Sequence, residues 1–209
     1  MSIKRTLETI TLDGGTLPFH FINTVRDRKV ENMHDYLTSY EDILTWSRRM
    51  EIMDKSESDV LQKLAKADLS EAEKTFEKAI ELRETMYLMF SAIAAETQPD
   101  TLILDKFNQF LSEGLTKTGI AFHKNEYVTG ILNAENSLEK PLWIVLKDTY
   151  RLLLEDDRKR MKECQKCGWI FLDHTKNNTK LWCNPQICGS TSKSARYYYN
   201  RKSKQDSKS

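Results

Sequence analysis

The chain has 209 residues, of which 39% are hydrophobic and 30% are charged, and its formal net charge is +1. This composition is typical of a folded globular protein and excludes an intrinsically disordered chain. The segment MSIKRTLETITLDGG contains no apolar run typical of a signal peptide, and no window approaches the roughly 18 apolar residues of a membrane span. We therefore expect a cytoplasmic protein that does not enter the membrane.

Mostly helical patterns follow a short extended beginning. The segment ETITLDGGTLPF predicts a first small hairpin that turns at residues 13–15. Apolar residues at helical spacing then predict a helix from Met33 to Met50 and a short helix around residues 60–64. The strongest helical pattern begins at residues 70–73, which fit a capping box, and ends before Pro99.

The second half of the chain adds further helices and a hairpin. A helix is predicted from about Thr101 to Leu111, and Gly114 and Gly119 are expected to break it. A second hairpin should turn near residues 124–125, and a helix should begin at Pro141. A charged link is expected near residues 155–162. The predicted class is mostly α with small β-hairpins (α+β), with a helical domain at residues 1–156.

All four cysteines lie in one stretch of 25 residues, as Cys164-x2-Cys167 and Cys183-x4-Cys188. This spacing is typical of structural zinc sites, in which four thiolates surround one metal ion. A redox dithiol would not need the second pair. His174 is an alternative ligand, although its place beside Asp173 in an expected hairpin favours a surface position. We predict one structural Zn²⁺ held by the four cysteines.

The zinc finger is predicted at residues 157–203, as a knuckle, a hairpin and a C-terminal helix. Residues 169–172 and 180–182 should form its two strands, with a turn at residues 177–178, and Ser190 or Ser192 should cap the helix. Its core is expected to be separate from that of the helical domain. Residues 204–209 are expected to form a disordered tail.

Positive charge is concentrated at the finger. Residues 157–209 carry 13 Lys and Arg against 4 Asp and Glu, whereas residues 1–156 carry 19 against 27. Basic residues interleaved with tyrosines at positions 197–199 suit nucleic acid, because cations contact phosphate and rings stack on bases. We predict that duplex DNA is contacted by Lys176, Lys180, Lys193, Arg196, Arg201 and Lys202. The alternative is that the tyrosines pack on the finger and the cations are solvated.

This finger resembles the CGNR zinc-finger family. The resemblance rests on the CxxC at 164–167, the "FLD" run at 171–173, Trp182-Cys183, Cys188-Gly189, and the trailing Lys193, Ala195 and Arg201. Ser190 and Thr191 stand where the family has Asn and Arg. Members pair the finger with an N-terminal ABATE domain and are regarded as stress-related transcription regulators.

The resemblance extends upstream of the finger. Residues 19–24, FHFINT, are similar to the family's "LDFVNT" stretch, with His20 in the usual Asp position, and residues 79–84 are similar to its "ALRLREAL" helix. The family's N-terminal domain is proposed to sense a ligand. Asn23, Thr24, Arg26 and Arg83 could line a polar pocket for an unknown small ligand or protein. Alternatively, Asn23 and Thr24 cap a helix and Arg83 is an exposed helical cation.

The sequence features are compatible with two binding functions. The first is a zinc-containing DNA-binding transcription regulator, and the second is a zinc-finger protein-interaction module that does not bind DNA. An enzyme is not expected, because the sequence has no phosphate-binding glycine loop, no GxSxG and no HExxH motif.

Overall fold

The computed structural model describes residues 5–123, 125–155 and 158–192. Within these ranges the protein is mostly helical with two small antiparallel hairpins, as predicted. The elements in chain order are α1 Leu17–Ile22, α2 Tyr40–Arg49, α3 Lys55–Ala67, α4 Leu69–Ala94, α5 Thr101–Thr116, β1 Thr118–His123, β2 Glu126–Ile131, α6 Lys140–Glu155, β3 Met161–Glu163 and β4 Ile170–Leu172. A π-helical turn, Pro185–Gly189, follows β4.

Helix α4 is the longest element and lies at the centre of the fold. It contacts α1, α2, α3 and α5 as well as β3 and β4 of the finger. Its N-terminus is capped by Asp68, whose carboxylate accepts the backbone N–H of Glu71 at 2.9 Å. The predicted capping box at residues 70–73 is therefore wrong. The helix begins at Leu69 with Asp68 as its N-cap, so Ser70 already lies inside the first turn.

The predicted N-terminal hairpin is also wrong. Residues 17–22 form α1, with Pro18 in its first turn, where a proline has no N–H to leave unpaired. Phe19, Phe21 and Ile22 are all buried, and a short helix can place three such neighbours in a core where an alternating strand cannot. The helix predicted from Met33 starts later, at Tyr40, because Ser39 forms a capping box with Asp42.

Helices α5 and α6 pack closely at Gly114. Helix α5 continues to Thr116, so the predicted break at Gly114 is wrong. A Cβ atom at this position would stand 3.0 Å from Cβ of Leu146 in α6, so the glycine permits the close approach of the two helices. The predicted β1–β2 hairpin and the helix beginning near Pro141 are both confirmed.

The strand pairing within the finger differs from the prediction. Strand β4 pairs with β3, Met161–Glu163, which lies in the segment predicted to be a link, and residues 180–182 form no strand. The carboxylate of Asp173 accepts backbone N–H groups of Thr175 and Lys180, which closes this stretch as a loop. Asn184 caps the following turn, so the prediction of a cap at Ser190 or Ser192 is wrong.

The finger and the helices share one hydrophobic core. Trp169, Ile170 and Phe171 are buried in the same cluster as Phe19 and Phe90. The expectation of two separate cores is therefore wrong, because β4 places its apolar side chains against α1 and α4. The boundaries at residues 156 and 157 stay a prediction, and the tail predicted at 204–209 lies outside the described residues.

Candidate metal centre and its contacts

The four cysteines converge on one point. Their sulfur atoms all lie within 4.8 Å of one another, the side chains are buried, and none forms a disulfide. The Sγ of Cys183 lies 3.7 Å from those of Cys167 and Cys188. Four sulfurs bound at about 2.3 Å around a tetrahedral zinc ion stand about 3.8 Å apart. The cluster therefore has the size and the donor set of a single zinc site.

The electrostatics of the thiols also fit a cation. Hydrogen bonds with Cys167, Cys183 and Cys188 lower the pKa of the Cys164 thiol. Hydrogen bonds with Cys164, Cys167 and Cys188 raise the pKa of the Cys183 thiol. The pKa values separate because neighbouring buried thiols cannot all become negative without a positive charge between them. A zinc ion would supply that charge and hold four thiolates together.

Local structure explains how each pair of cysteines is presented. The first pair lies on a tight knuckle, in which the backbone N–H of Gly168 donates to the carbonyl of Cys164 at 2.9 Å. Gly168 has a φ of +75°, a conformation that costs glycine little. Cys188 lies on the π-helical turn that begins after Asn184. His174 is exposed beside Gly15 and is not part of the cysteine cluster.

A backbone contact joins the knuckle to α4 through Arg28. The backbone N–H of Arg28 donates to the carbonyl of Cys167 at 2.8 Å, and its guanidinium donates to Glu84 at 2.6 Å. The same guanidinium lies 3.9 Å from the centre of the Tyr87 ring. This buried arginine was missed in the sequence, where it is one of several basic residues in an unpatterned loop.

Asn23 joins α1 to the finger. Its amide Nδ2 donates to the carbonyl of Ile170 at 2.8 Å, and its Oδ1 accepts the N–H of Ile170 at 3.0 Å. The indole Nε1 of Trp169 donates to the carbonyl of Val25 at 2.6 Å. The amide of Asn23 thus pairs with the edge of β4 as a further strand would, and Val25 binds the residue just before that strand.

The four residues predicted to line a ligand pocket do not meet in one cavity. Thr24 accepts a hydrogen bond from Arg83, whose guanidinium also binds both carboxylate oxygens of Asp35 at 2.7 and 2.6 Å. Arg83 is only 2% exposed, so the alternative that it is an exposed cation is wrong. Asn23 binds Ile170, and of the four only Arg26 lines the cavity beside the cysteines.

The residues predicted to contact DNA are only partly described. Lys176 is exposed in the loop after β4, and the ammonium of Lys180 lies 5.0 Å from the centre of the Phe171 ring. Lys193, Arg196, Arg201 and Lys202 lie outside the described residues. The hydroxyls of Ser190 and Thr191 donate to the carbonyls of Gln186 and Ile187.

Comparison with known families agrees with this geometry. Residues 15–156, more than half of the chain, match the profile of ABATE, described as "putative stress-induced transcription regulator". The chain belongs to the ABATE family. The profile of the CGNR zinc finger matches residues 160–202, so the ABATE segment is followed by this finger in the expected order. Neither description is that of an enzyme, and no curated protein matched the ABATE chain. Across the described ranges, the ABATE chain has no helix long and apolar enough to cross a membrane.

His20, in α1, provides a prediction on pH. Burial and then the charge of Arg49 lower its pKa from 6.5 to about 4, while Asp13 acts in the opposite direction. As the pH decreases, His20 is therefore protonated in the unfolded chain at a higher pH than in the folded protein. The contribution of the neutral histidine to stability is complete above about pH 6.5 and is lost as the pH decreases towards 4. We expect a loss of about 2–3 kcal/mol over this range.

Urea unfolding between pH 4 and 7 tests this expectation. In His20→Gln the part of the pH dependence that comes from the histidine should disappear, and His174→Gln, at an exposed position, should keep it. An unchanged pH profile in His20→Gln would assign the acid sensitivity to other groups.

Proposed function

We propose that this protein is a zinc-dependent, DNA-binding transcription regulator whose finger contacts duplex DNA and whose N-terminal domain senses a small ligand or a partner. The domains are proposed at residues 1–156 and 157–203. Cys164, Cys167, Cys183 and Cys188 are the proposed ligands of one structural zinc ion. Four thiolate ligands leave no open position for a substrate, which supports a structural rather than a catalytic metal. The proposed location is cytoplasmic, where thiols stay reduced.

The proposal is supported mainly by the uneven distribution of charge along the chain, with the excess of positive charge in the finger segment. The segment 157–209 carries 13 basic and 4 acidic residues, and residues 1–156 carry 19 and 27. DNA binding gains affinity when basic residues contact phosphates and release counterions. In this chain the excess of basic residues lies in the finger segment, so the finger is the part expected to contact DNA. The proposed contacts are Lys176, Lys180, Lys193, Arg196, Arg201 and Lys202.

The contacts of Ser190 and Thr191 limit what such a finger could read. Both hydroxyls donate to carbonyls of their own turn, and neither side chain can make the bidentate contact that arginine makes with guanine. The proposed binding is therefore dominated by phosphate, with modest sequence preference. The same observation favours a second candidate function, in which the finger binds a protein partner and not DNA.

Titration with duplex DNA at several salt concentrations tests the proposal. About four or five phosphate contacts should give a slope of log affinity against log salt of roughly −4, at about −0.9 per contact. Replacing Arg196 and Arg201 together by glutamine should flatten this slope by up to about two, because two contacts are lost.

The matched control neutralises two exposed cations of α3, as Lys63→Gln with Lys66→Gln, and should leave the slope unchanged. If no duplex binds even at low salt, or if the finger variant binds like the unmodified protein, the DNA proposal fails and the protein-partner function replaces it.

A further inference from the structure

A cavity lies between the N-terminal segment and the zinc finger. Its volume is about 820 Å³, which is in the range of cavities that hold small ligands. One wall comes from residues 5–27 and the other from residues 166–191, including Trp169 and Ile187. Cys167, Cys183 and Cys188 also line it, so a molecule bound here would touch both parts of the protein beside the metal centre.

Three cations from separate segments of the chain line this cavity. Arg5 and Arg26 belong to the N-terminal wall, and Lys166 belongs to the cysteine knuckle. Burial raises the pKa of Tyr36, and the positive charges of Arg26 and Arg5 both oppose this rise. In the described part of the chain, none of the three side chains has an ion pair, and none donates to a cysteine sulfur. None of the three makes a side-chain hydrogen bond among the described residues either, and Arg26 is exposed to solvent.

The lining also contains two acidic groups, Asp13 and Asp27. Both carboxylate oxygens of Asp13 accept from Nδ2 of Asn184, at 3.1 and 3.2 Å, and Oδ1 of Asp27 accepts the backbone N–H of Lys29. The hydroxyl of Thr11, which also lines the cavity, is buried without a hydrogen-bond partner among the described residues. Asp13 and Asp27 keep their negative charge when they accept these bonds, so the cations of the lining exceed its carboxylates by one, three against two.

We infer that this cavity binds a small organic anion, with a carboxylate or phosphate group held by Arg5, Arg26 and Lys166 and an apolar body against Trp169 and Ile187. Guanidinium groups suit this role because they make paired, charge-assisted hydrogen bonds with planar or tetrahedral oxyanions. The inference rests on the proposed function in one respect, since it supplies the ligand class for the sensing domain. Because the anion would contact both walls, its binding would also hold the finger against the helices and slow the release of zinc.

Titration of the zinc-loaded, full-length protein without DNA tests the inference. The probes are benzoate and phenyl phosphate, with benzamide as the neutral counterpart of benzoate. Both anions should shift the indole N–H resonance of Trp169 saturably in the millimolar range, and benzamide should bind at least about tenfold more weakly, as the loss of a charge-assisted hydrogen bond implies. Trp169→Phe assigns the resonance. Zinc transfer to a coloured chelator should be slower with benzoate present than with benzamide.

Variants separate this site from non-specific binding. Arg26→Gln should weaken benzoate about tenfold, because one charged donor is removed, and Lys63→Gln on α3 should have no effect. If neither anion shifts Trp169, or if Arg26→Gln binds benzoate as well as the unmodified protein, the inference is overturned. A protein that binds benzoate in this way but no duplex DNA would contradict only the proposed function.

Discussion

Cys183→Ser will destabilise the whole protein and not the finger alone. The change removes one of four thiolates, and structural zinc in small fingers contributes roughly 10–16 kcal/mol to folding. Because Trp169, Ile170 and Phe171 lie in the same core as α1 and α4, loss of the finger uncovers the helices as well. We expect a loss of at least about 3 kcal/mol, which corresponds to about 6–12 °C in Tm for a chain of this size.

Thermal unfolding followed by circular dichroism measures this effect, and zinc analysis of the purified variant accompanies it. Asn177→Ser, at an exposed position in the same finger, is the matched control and should melt like the unmodified protein with one zinc per chain. An unmoved helical transition in Cys183→Ser would show that the helices fold without the finger, against the shared core.

Asn23→Leu will have the second largest effect. Leucine keeps the approximate size of the side chain but removes both hydrogen bonds to Ile170, at 2.8 and 3.0 Å. The N–H and carbonyl of Ile170 would then be buried without partners, and each unpaired buried group costs about 1–3 kcal/mol. We expect a loss of about 3–5 kcal/mol in the free energy of unfolding.

Urea unfolding in the presence of excess zinc gives this number without a contribution from metal loss. Asn108→Leu, on the exposed face of α5, is the control and should change stability by less than about 0.5 kcal/mol. A loss below about 1 kcal/mol in Asn23→Leu would mean that water replaces the amide at the strand edge.

Features with strong local causes were predictable from the sequence. The spacing of the cysteines predicted the metal centre, and apolar periodicity with a proline in the first turn predicted α6. The β1–β2 hairpin was predicted with its turn near residues 124–125, where Asn125 adopts a φ of +64°. In each case the residues that decide the structure lie within a few positions of one another.

Features with distant causes were not predictable. The amide of Asn23 meets Ile170 across 147 positions, and Arg28 meets Glu84 across 56. Strand β4 pairs with a segment whose sequence, dominated by charge, resembles a linker. Neither periodicity nor spacing carries information on such pairings, because they depend on how whole elements pack. For the same reason Gly114 was predicted to end a helix, whereas its missing side chain allows Leu146 of α6 to pack closely against α5.

The shared core also has a consequence for biosynthesis. The ribosome completes α1 to α6 before the first cysteine has emerged, so the apolar sides of α1 and α4 that receive β4 remain uncovered during this interval. A fragment that stops before residue 160 would keep those surfaces exposed permanently and would be expected to aggregate. In cells that lack zinc, newly made chains would also keep these surfaces exposed and aggregate. The supply of zinc would then limit how much folded protein accumulates.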